Sequence, residues 1–259
     1  MHIPRKRFGQ HFLCDQHVVQ RIVGAIKPLP EEHLVEIGPG QGALTLPVLK
    51  LSRQLDAVEF DRDLIPELDA RTKAYGELRI HSADALDFDF NTLHQSKQPL
   101  RVFGNLPYNI STPLLFHLLT FAPIVSDMVF MLQKEVADRL AAEADSDDYG
   151  RLSVMVQYHC RVDLLFDVPP SAFFPPPKVQ SSIVRLIPFH VTPHPVKNYE
   201  LFASIVKHAF GQRRKTLRNS LKTIVDATVW ERISVQPNLR AENLSVKDFV
   251  EISNALSQS

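Results

Sequence analysis

The sequence predicts an α/β fold with a seven-stranded sheet, followed by a small all-α C-terminal domain. Three observations carry this. Between residues 34 and 133, short apolar runs alternate with amphipathic stretches, the pattern of a parallel sheet flanked by helices. A glycine-rich turn follows the first of those runs, where such sheets receive ligands. Strand character ends at a proline-containing linker, past which helical periodicity takes over.

In chain order, the expected strands are Leu34 to Gly38, Leu55 to Phe60, Leu78 to Asp84, Leu100 to Asn105 and Asp127 to Gln133. Helices are expected to open near Gly42, Arg62, Ser111 and Lys134. Ser111 precedes Thr112 and Pro113, so a hydroxyl is available to cap free amides and proline stands in the first turn. The acidic stretch from Ala144 to Gly150 reads as a loop. Two further strands, Val162 to Pro169 and Val179 to Pro188, flank a proline-rich turn as a terminal hairpin and bring the count to seven. Prolines 188, 193 and 195 mark the linker, and helices follow from Tyr199. The expected domains are residues 1–190, including a basic arm over 1–14, and residues 191–259.

Of the 259 residues 44% are hydrophobic and 22% charged, which suits a chain that buries one large core. No run approaches the ~20 apolar residues that span a bilayer, and the polar N-terminus lacks a secretory segment, so the cytoplasm is the expected compartment. Cys14 and Cys160 are too few for a disulfide framework or a thiolate zinc site and read as structural thiols; no metal is expected. The formal net charge of zero hides an uneven distribution. Residues 1–14 carry +3 and residues 197–222 carry +6, while residues 15–196 carry −7. Two basic ends fit either a nucleic-acid partner or ordinary solvated surfaces.

The segment Gly38-Pro39-Gly40-Gln41-Gly42 lies between a strand and a helix, where a ligand must approach the backbone closely. By itself it fits a dinucleotide as well as other nucleotide-like ligands. Glu59 ends the second strand, about twenty residues on, where a carboxylate can accept both hydroxyl hydrogens of a ribose. Asp84 ends the third, placed to accept from an adenine amino group. Singly, each acid also fits a helix cap or a solvated strand end. Together with the glycines they fall on one sheet edge, where a single adenosine-type ligand could contact all three.

The fourth strand ends in Asn105-Leu106-Pro107-Tyr108. Proline removes an amide donor and fixes a torsion, so carbonyls around Leu106 can be held outward as acceptors for an amine. A strand-ending turn with a core tyrosine is the plainer alternative.

At these residues the chain resembles the adenine dimethyltransferases of ribosomal RNA. The resemblance runs through RKRFGQHFL (Arg5 to Leu13), VEIGPGQGALT (Val35 to Thr45), FGNLPYNISTPLLF (Phe103 to Phe116), MLQKEVADRL (Met131 to Leu140), PPSAFFPPPKVQSSIVRL (Pro169 to Leu186) and QRRKTLRNSL (Gln212 to Leu221). It implies a Rossmann-like class I methyltransferase fold, S-adenosylmethionine as methyl donor, and the housekeeping small-subunit branch rather than the resistance methylases. The implied substrate is two adjacent adenines in the 3′-terminal hairpin loop of 16S rRNA, each methylated twice, with a further role in small-subunit biogenesis. A monomer is expected.

The resemblance assigns donor contacts to His11, Leu13, Gly38, Glu59, Asp84 and Asn105. His11 departs from the family's usual asparagine, so the side-chain bond to the donor's carboxylate end would pass to imidazole or be lost. The Asn105 side-chain carbonyl and the Leu106 or Pro107 backbone carbonyl would accept from the adenine amine, favouring its pyramidal, nucleophilic form. Tyr108 and Phe173 would sandwich the extruded base, stacking being worth ~1 to 3 kcal/mol per base. RNA contacts are expected from Arg5, Lys6 and Arg7, and from Arg213, Arg214, Lys215, Arg218 and Lys222, whose spacing would gather much of their charge on one helix face. Rival readings are an assembly factor that binds without methylating, a large-subunit resistance methylase and, more remotely, a nicotinamide dehydrogenase.

Overall fold

Residues 11–96, 98–212 and 214–257 are described by the computed structural model of the chain. A short strand, β1 (Phe12–Leu13), leads into helix α1 (Gln16–Ile26). The Asp15 carboxylate caps that helix, accepting from the His17 and Val18 amides at 2.9 and 3.1 Å, and Val18, Ile22 and Ile26 recur on its buried face. Then follow β2 (His33–Ile37), α2 (Thr45–Ser52), β3 (Gln54–Glu59), α3 (Ile65–Thr72), β4 (Glu77–Ser82), β5 (Leu100–Asn105), α4 (Ser111–Leu119) and β6 (Val125–Gln133). Beyond them lie α5 (Lys134–Ala141), α6 (Arg151–His159), β7 (Cys160–Val168), β8 (Phe173–Phe174) and β9 (Ser181–Pro188). Helices α7 (Tyr199–Phe210), α8 (Leu217–Ser220), α9 (Ala227–Trp230) and α10 (Val246–Leu256) complete the order.

Seven strands form one sheet, the number the apolar pattern predicts, in the order β4-β3-β2-β5-β6-β9-β7. The pairs from β4 to β6 are parallel, and β9 is antiparallel to β6. β1 and β8 pair antiparallel as a separate ribbon. The chain steps outward from β2 through β3 to β4 and then crosses back, laying β5 on the other flank of β2. That reversal opens a crevice at the carboxyl ends of β2 and β5. Gly104 lets the two strands meet there: a Cβ on it would stand 2.4 Å from the Ile37 carbonyl oxygen.

Burial on both faces explains the near-continuous apolar content of the central strands. Leu34, Val35, Leu55, Ala57, Val58, Val102, Phe103, Met128 and Phe130 are all at most 2% exposed. Two charged groups of the sheet are paired. Asp56 of β3 accepts from His33 at 2.9 Å and His81 at 2.7 Å, and the two imidazoles outweigh its burial to hold its carboxyl below the usual range. The Arg101 guanidinium binds both Asp127 oxygens at 2.7 and 3.0 Å and donates to the carbonyls of Ile26 and Lys27, tying the end of α1 to β5 and β6.

The chain divides into two compact units. One runs to Ala137 and includes Val162–Pro188; the other comprises Asp138–Arg161 and the chain from Phe189 onward. The second unit thus takes in a segment from before the proline linker. The reason is α6, a helix not anticipated from the sequence, which packs against α7 and α10 with the Tyr158 and Phe202 rings 4.6 Å apart. α1 is likewise additional to the expected elements.

Three expectations are corrected. The described part of the basic run does not form one continuous helix: α7 ends at Phe210, and α8, which holds Arg218, covers only Leu217–Ser220. Backbone pairing with a distant segment takes the amides a continuous helix would need, since Thr216 bridges Arg240, Leu217 N–H donates to Leu239 at 2.8 Å and Arg218 N–H to Pro237 at 2.9 Å. The Ser111 hydroxyl does not cap α4; buried, it donates instead to the Tyr108 carbonyl at 3.2 Å. Of the two free thiols, Cys160 is buried, which pushes it up to about 12, whereas Cys14 is exposed. No helix among the described residues is long and apolar enough to cross a membrane.

Candidate active site

A cavity of about 300 Å³ lies at the carboxyl ends of β2, β3, β4 and β5. Its floor is the glycine turn. Gly38, Gly40 and Gly42 have φ of 65°, 55° and 81°, a left-handed conformation that side chains resist. A Cβ on Gly38 would meet nothing within 4 Å, so the backbone there faces open space that a ligand can fill. A Cβ on Gly40 would stand 3.3 Å from the Phe12 ring, which packs the β1 segment onto the turn.

Four acidic side chains line this cavity: Glu36, Glu59, Asp61 and Asp84. Glu59 is 6% exposed and accepts from the Gly40 amide at 3.0 Å and the Asp61 amide at 2.7 Å, one on each oxygen. Burial raises its carboxyl above the usual range, and those amides oppose the rise. Each oxygen keeps acceptor capacity for a hydroxyl. Asp84 accepts from the Leu86 amide at 2.9 Å through one oxygen. Glu36 is 2% exposed with no hydrogen bond on its Oε2, and burial, reinforced by Glu59, pushes it up to about 8 despite the nearby Thr45 hydroxyl.

On the opposite wall, Asn105 Nδ2 donates to the His11 carbonyl at 3.1 Å. A carbonyl only accepts, so this bond sets the orientation of the amide and leaves Asn105 Oδ1 as an acceptor that takes no hydrogen bond from a described residue. The Pro107 carbonyl accepts from Ile110 N–H at 3.2 Å, whereas no hydrogen bond from a described residue falls on the Leu106 carbonyl. The Tyr108 hydroxyl pairs with Ser181 Oγ at 2.6 Å, and burial raises its ionisation above the ordinary range. The His11 ring stacks on Tyr108 with centroids 5.7 Å apart at 29°. Its Nδ1 lies 2.8 Å from the Pro175 carbonyl oxygen. Two outward acceptors, an aromatic face and an acid-rich floor suit a cationic ligand placed beside an amine.

His11, Leu13, Gly38, Glu59, Asp84, Asn105, Leu106, Pro107 and Tyr108 thus all line one cavity. Phe173 does not. It is 3% exposed and belongs to the core cluster with Leu13, Phe103 and Ile183, while its neighbour Phe174 is 63% exposed. Strand alternation makes the two point oppositely, and pairing of Phe173 with Leu13 turns Phe173 inward. Arg214, Lys215, Arg218 and Lys222 are exposed on the helical unit. Arg5, Lys6, Arg7 and Arg213 lie outside the described residues. Sequence reasoning missed Glu36, although an acid inside an apolar strand was a visible signal. It also missed Ser181, the tyrosine's partner, for which no local signal exists.

Residues 1–258 match the profile of the family described as "Ribosomal RNA adenine dimethylase". The chain is 53% identical over 257 residues to "Ribosomal RNA small subunit methyltransferase A" of Pseudomonas syringae pv. tomato, covering 99% of this chain and 96% of that one. It is similar in structure to a dimethyladenosine transferase from Plasmodium falciparum, with a TM-score of 0.80 and 28% identity over 93% of this chain and 96% of the other. The 23S rRNA methyltransferase ErmE shares the fold, with a TM-score of 0.72 at 23% identity over 95% of this chain and 100% of the other.

Proposed function

The chain belongs to the ribosomal RNA adenine dimethylase family, and from that membership we propose that it transfers methyl groups from S-adenosylmethionine to adenine N6 in small-subunit rRNA. The site is two adjacent adenines in the 3′-terminal hairpin loop of 16S rRNA, each methylated twice. The observation that carries the reading is the Asn105–Tyr108 corner: an amide held by the His11 carbonyl, whose own oxygen and the neighbouring Leu106 carbonyl accept no hydrogen bond from a described residue, beside a tyrosine ring.

The cavity fits the donor. S-adenosylmethionine carries a sulfonium, an ammonium and one carboxylate, so its net charge is positive, and a lining that holds Glu59, Asp61 and Asp84, with a buried Glu36 able to ionise when a cation arrives, matches it. The buried Glu36 Oε2, which has no hydrogen-bond partner among the described residues, is a group such a cation would satisfy. Glu59 would take the ribose hydroxyls, Asp84 the adenine amino group, and the Gly38 backbone would allow close approach. When bound, the donor supplies the electrophilic methyl group.

Everything else falls to this chain's residues. Adenine's exocyclic nitrogen is a poor nucleophile because its lone pair is delocalised into the ring. Asn105 Oδ1 and the Leu106 carbonyl accept its two hydrogens, favour the pyramidal form and aim the lone pair for direct in-line transfer. Tyr108 stacks on the base. Phe173 is buried, so a second stacking ring from this pair would have to be the exposed Phe174. The alkylated amine is acidic, so solvent or a carbonyl relay takes its proton and no strong general base is needed. Arg214, Lys215, Arg218 and Lys222 of the helical unit would hold RNA phosphates, which orient RNA without reading its sequence. We further assign the protein a role in small-subunit biogenesis and a monomeric, cytoplasmic existence.

The test is transfer of radiolabelled methyl groups to undermethylated small ribosomal subunits, with large subunits as control and the products identified. Dimethyladenosine in the small subunit alone supports the proposal. Label in the large subunit, or binding without label, would overturn it.

A further inference from the structure

We infer that Ser181 is a positioning residue for methyl transfer: it holds the Tyr108 hydroxyl and so fixes where the ring stands on which the target adenine stacks. This rests on the base-stacking reading of Tyr108 given above and deepens it.

A stacking platform needs only a ring face, which phenylalanine also has, so stacking does not account for the hydroxyl of Tyr108. That hydroxyl meets Ser181 Oγ at 2.6 Å, from a residue 73 positions away. Ser181 is fully buried. It opens β9 opposite Gln133, the last residue of β6, and the same β6 sets Met131 beside Asn105 at the end of β5. The sheet itself thus delivers the serine hydroxyl to the Asn105–Tyr108 corner, which is a more rigid support than a loop gives. The next residue shows that the direction is specific. Ser182 is also buried, but strand alternation turns it to the opposite face, where it donates to Asp167 at 2.6 Å.

Each freedom of the ring has its own restraint. The Tyr108 carbonyl accepts from the Ser111 hydroxyl at 3.2 Å, which holds the backbone end. The phenolic oxygen lies at the far end of the ring axis, so a bond to it stops the ring from swinging about Cα–Cβ. Rotation about the axis is soft for an aromatic side chain, and the His11 ring, stacked at 29°, limits it on one face while the other is left for a base. A base stacked on Tyr108 must bring its amine to Asn105 Oδ1 and the Leu106 carbonyl. Hydrogen bonds weaken steeply with distance and angle, so a swing of the ring carries the amine off both acceptors and misaims its lone pair. Ser181 touches neither base nor donor and acts through Tyr108.

The experiment is single-turnover methyl transfer to undermethylated small ribosomal subunits by the full-length wild type, Ser181→Ala, Tyr108→Phe, the double variant and Ser182→Ala, with donor affinity and melting temperature measured on each. Ser181→Ala and Tyr108→Phe should each slow transfer by about threefold to tenfold, the scale of one net hydrogen bond, and the double variant should be no slower than either. Donor affinity and the subunit concentration giving half-maximal rate should stay near wild type, and Ser182→Ala should transfer at the wild-type rate. Stability separates positioning from mere structure. Tyr108→Phe leaves the buried Ser181 hydroxyl without its partner and the double variant removes it, so the melting temperature should recover in the double while the rate does not. Recovery of both together, a wild-type rate in Ser181→Ala, losses that multiply in the double, or equal slowing by Ser182→Ala would overturn the inference alone. A wild type that transfers no methyl group to small subunits would overturn the base-stacking reading and the inference with it.

Discussion

Replacing Glu36 by glutamine should make the stability of the protein less dependent on pH. Glu36 is 2% exposed, and burial with help from Glu59 pushes its carboxyl from the ordinary 4.5 to about 8. Below 4.5 the group is neutral in both native and unfolded chains and costs nothing. As pH climbs toward 8 the unfolded chain ionises while the native one keeps its proton, so the wild type loses stability; above 8 the loss levels off. At 1.36 kcal/mol for each tenfold change, the gap between 4.5 and about 8 sets a ceiling of about 5 kcal/mol. Relaxation and water entry around a buried charge bring the expected loss to about 2 to 3 kcal/mol. Glutamine has no such titration. Urea unfolding followed by far-ultraviolet circular dichroism, from about pH 5 to pH 9, should therefore show Glu36→Gln gaining on the wild type as pH rises. Two stability curves that run parallel across this range would refute the reasoning.

Asn105→Ala removes the amide that the His11 carbonyl orients. Methyl transfer should fall by about 10²-fold or more while donor binding is weakened but measurable by calorimetry; turnover at the wild-type level would sink the role given to Oδ1. Gly104→Ala forces a Cβ against the Ile37 carbonyl oxygen, and should lower stability by about 2 kcal/mol or more in thermal unfolding. A melting temperature equal to wild type would contradict the tight β2–β5 approach. Exchanging Arg214 and Lys215 for glutamine removes two exposed cations, and the slope of log affinity for small subunits against log salt should become shallower by about 1 to 2. An unchanged slope would remove these residues from the RNA contact.

Much of this protein could be read without coordinates, because its signals are local. Strand runs, the glycine turn and the acids at Glu59 and Asp84 are set by alternation and by strand ends, and parallel sheets collect ligands at those ends. Asn105-Leu106-Pro107-Tyr108 carried its chemistry in its composition. The family-level motifs, in order along the chain, added the substrate. Tertiary structure alone decided what depends on a distant partner. Phe173 and Phe174 both suit a turn, and only pairing of β8 with β1 chose which faces the core. The basic run has helical spacing, yet its backbone is claimed by residues 237–240, and spacing cannot foresee that competition. His11 was legible as a departure from the family's asparagine, but its tautomer follows from Pro175, 164 residues away. A side chain's identity is written locally, while its hydrogen-bond partners and its burial, which set its charge, are contributed by whatever the fold brings beside it.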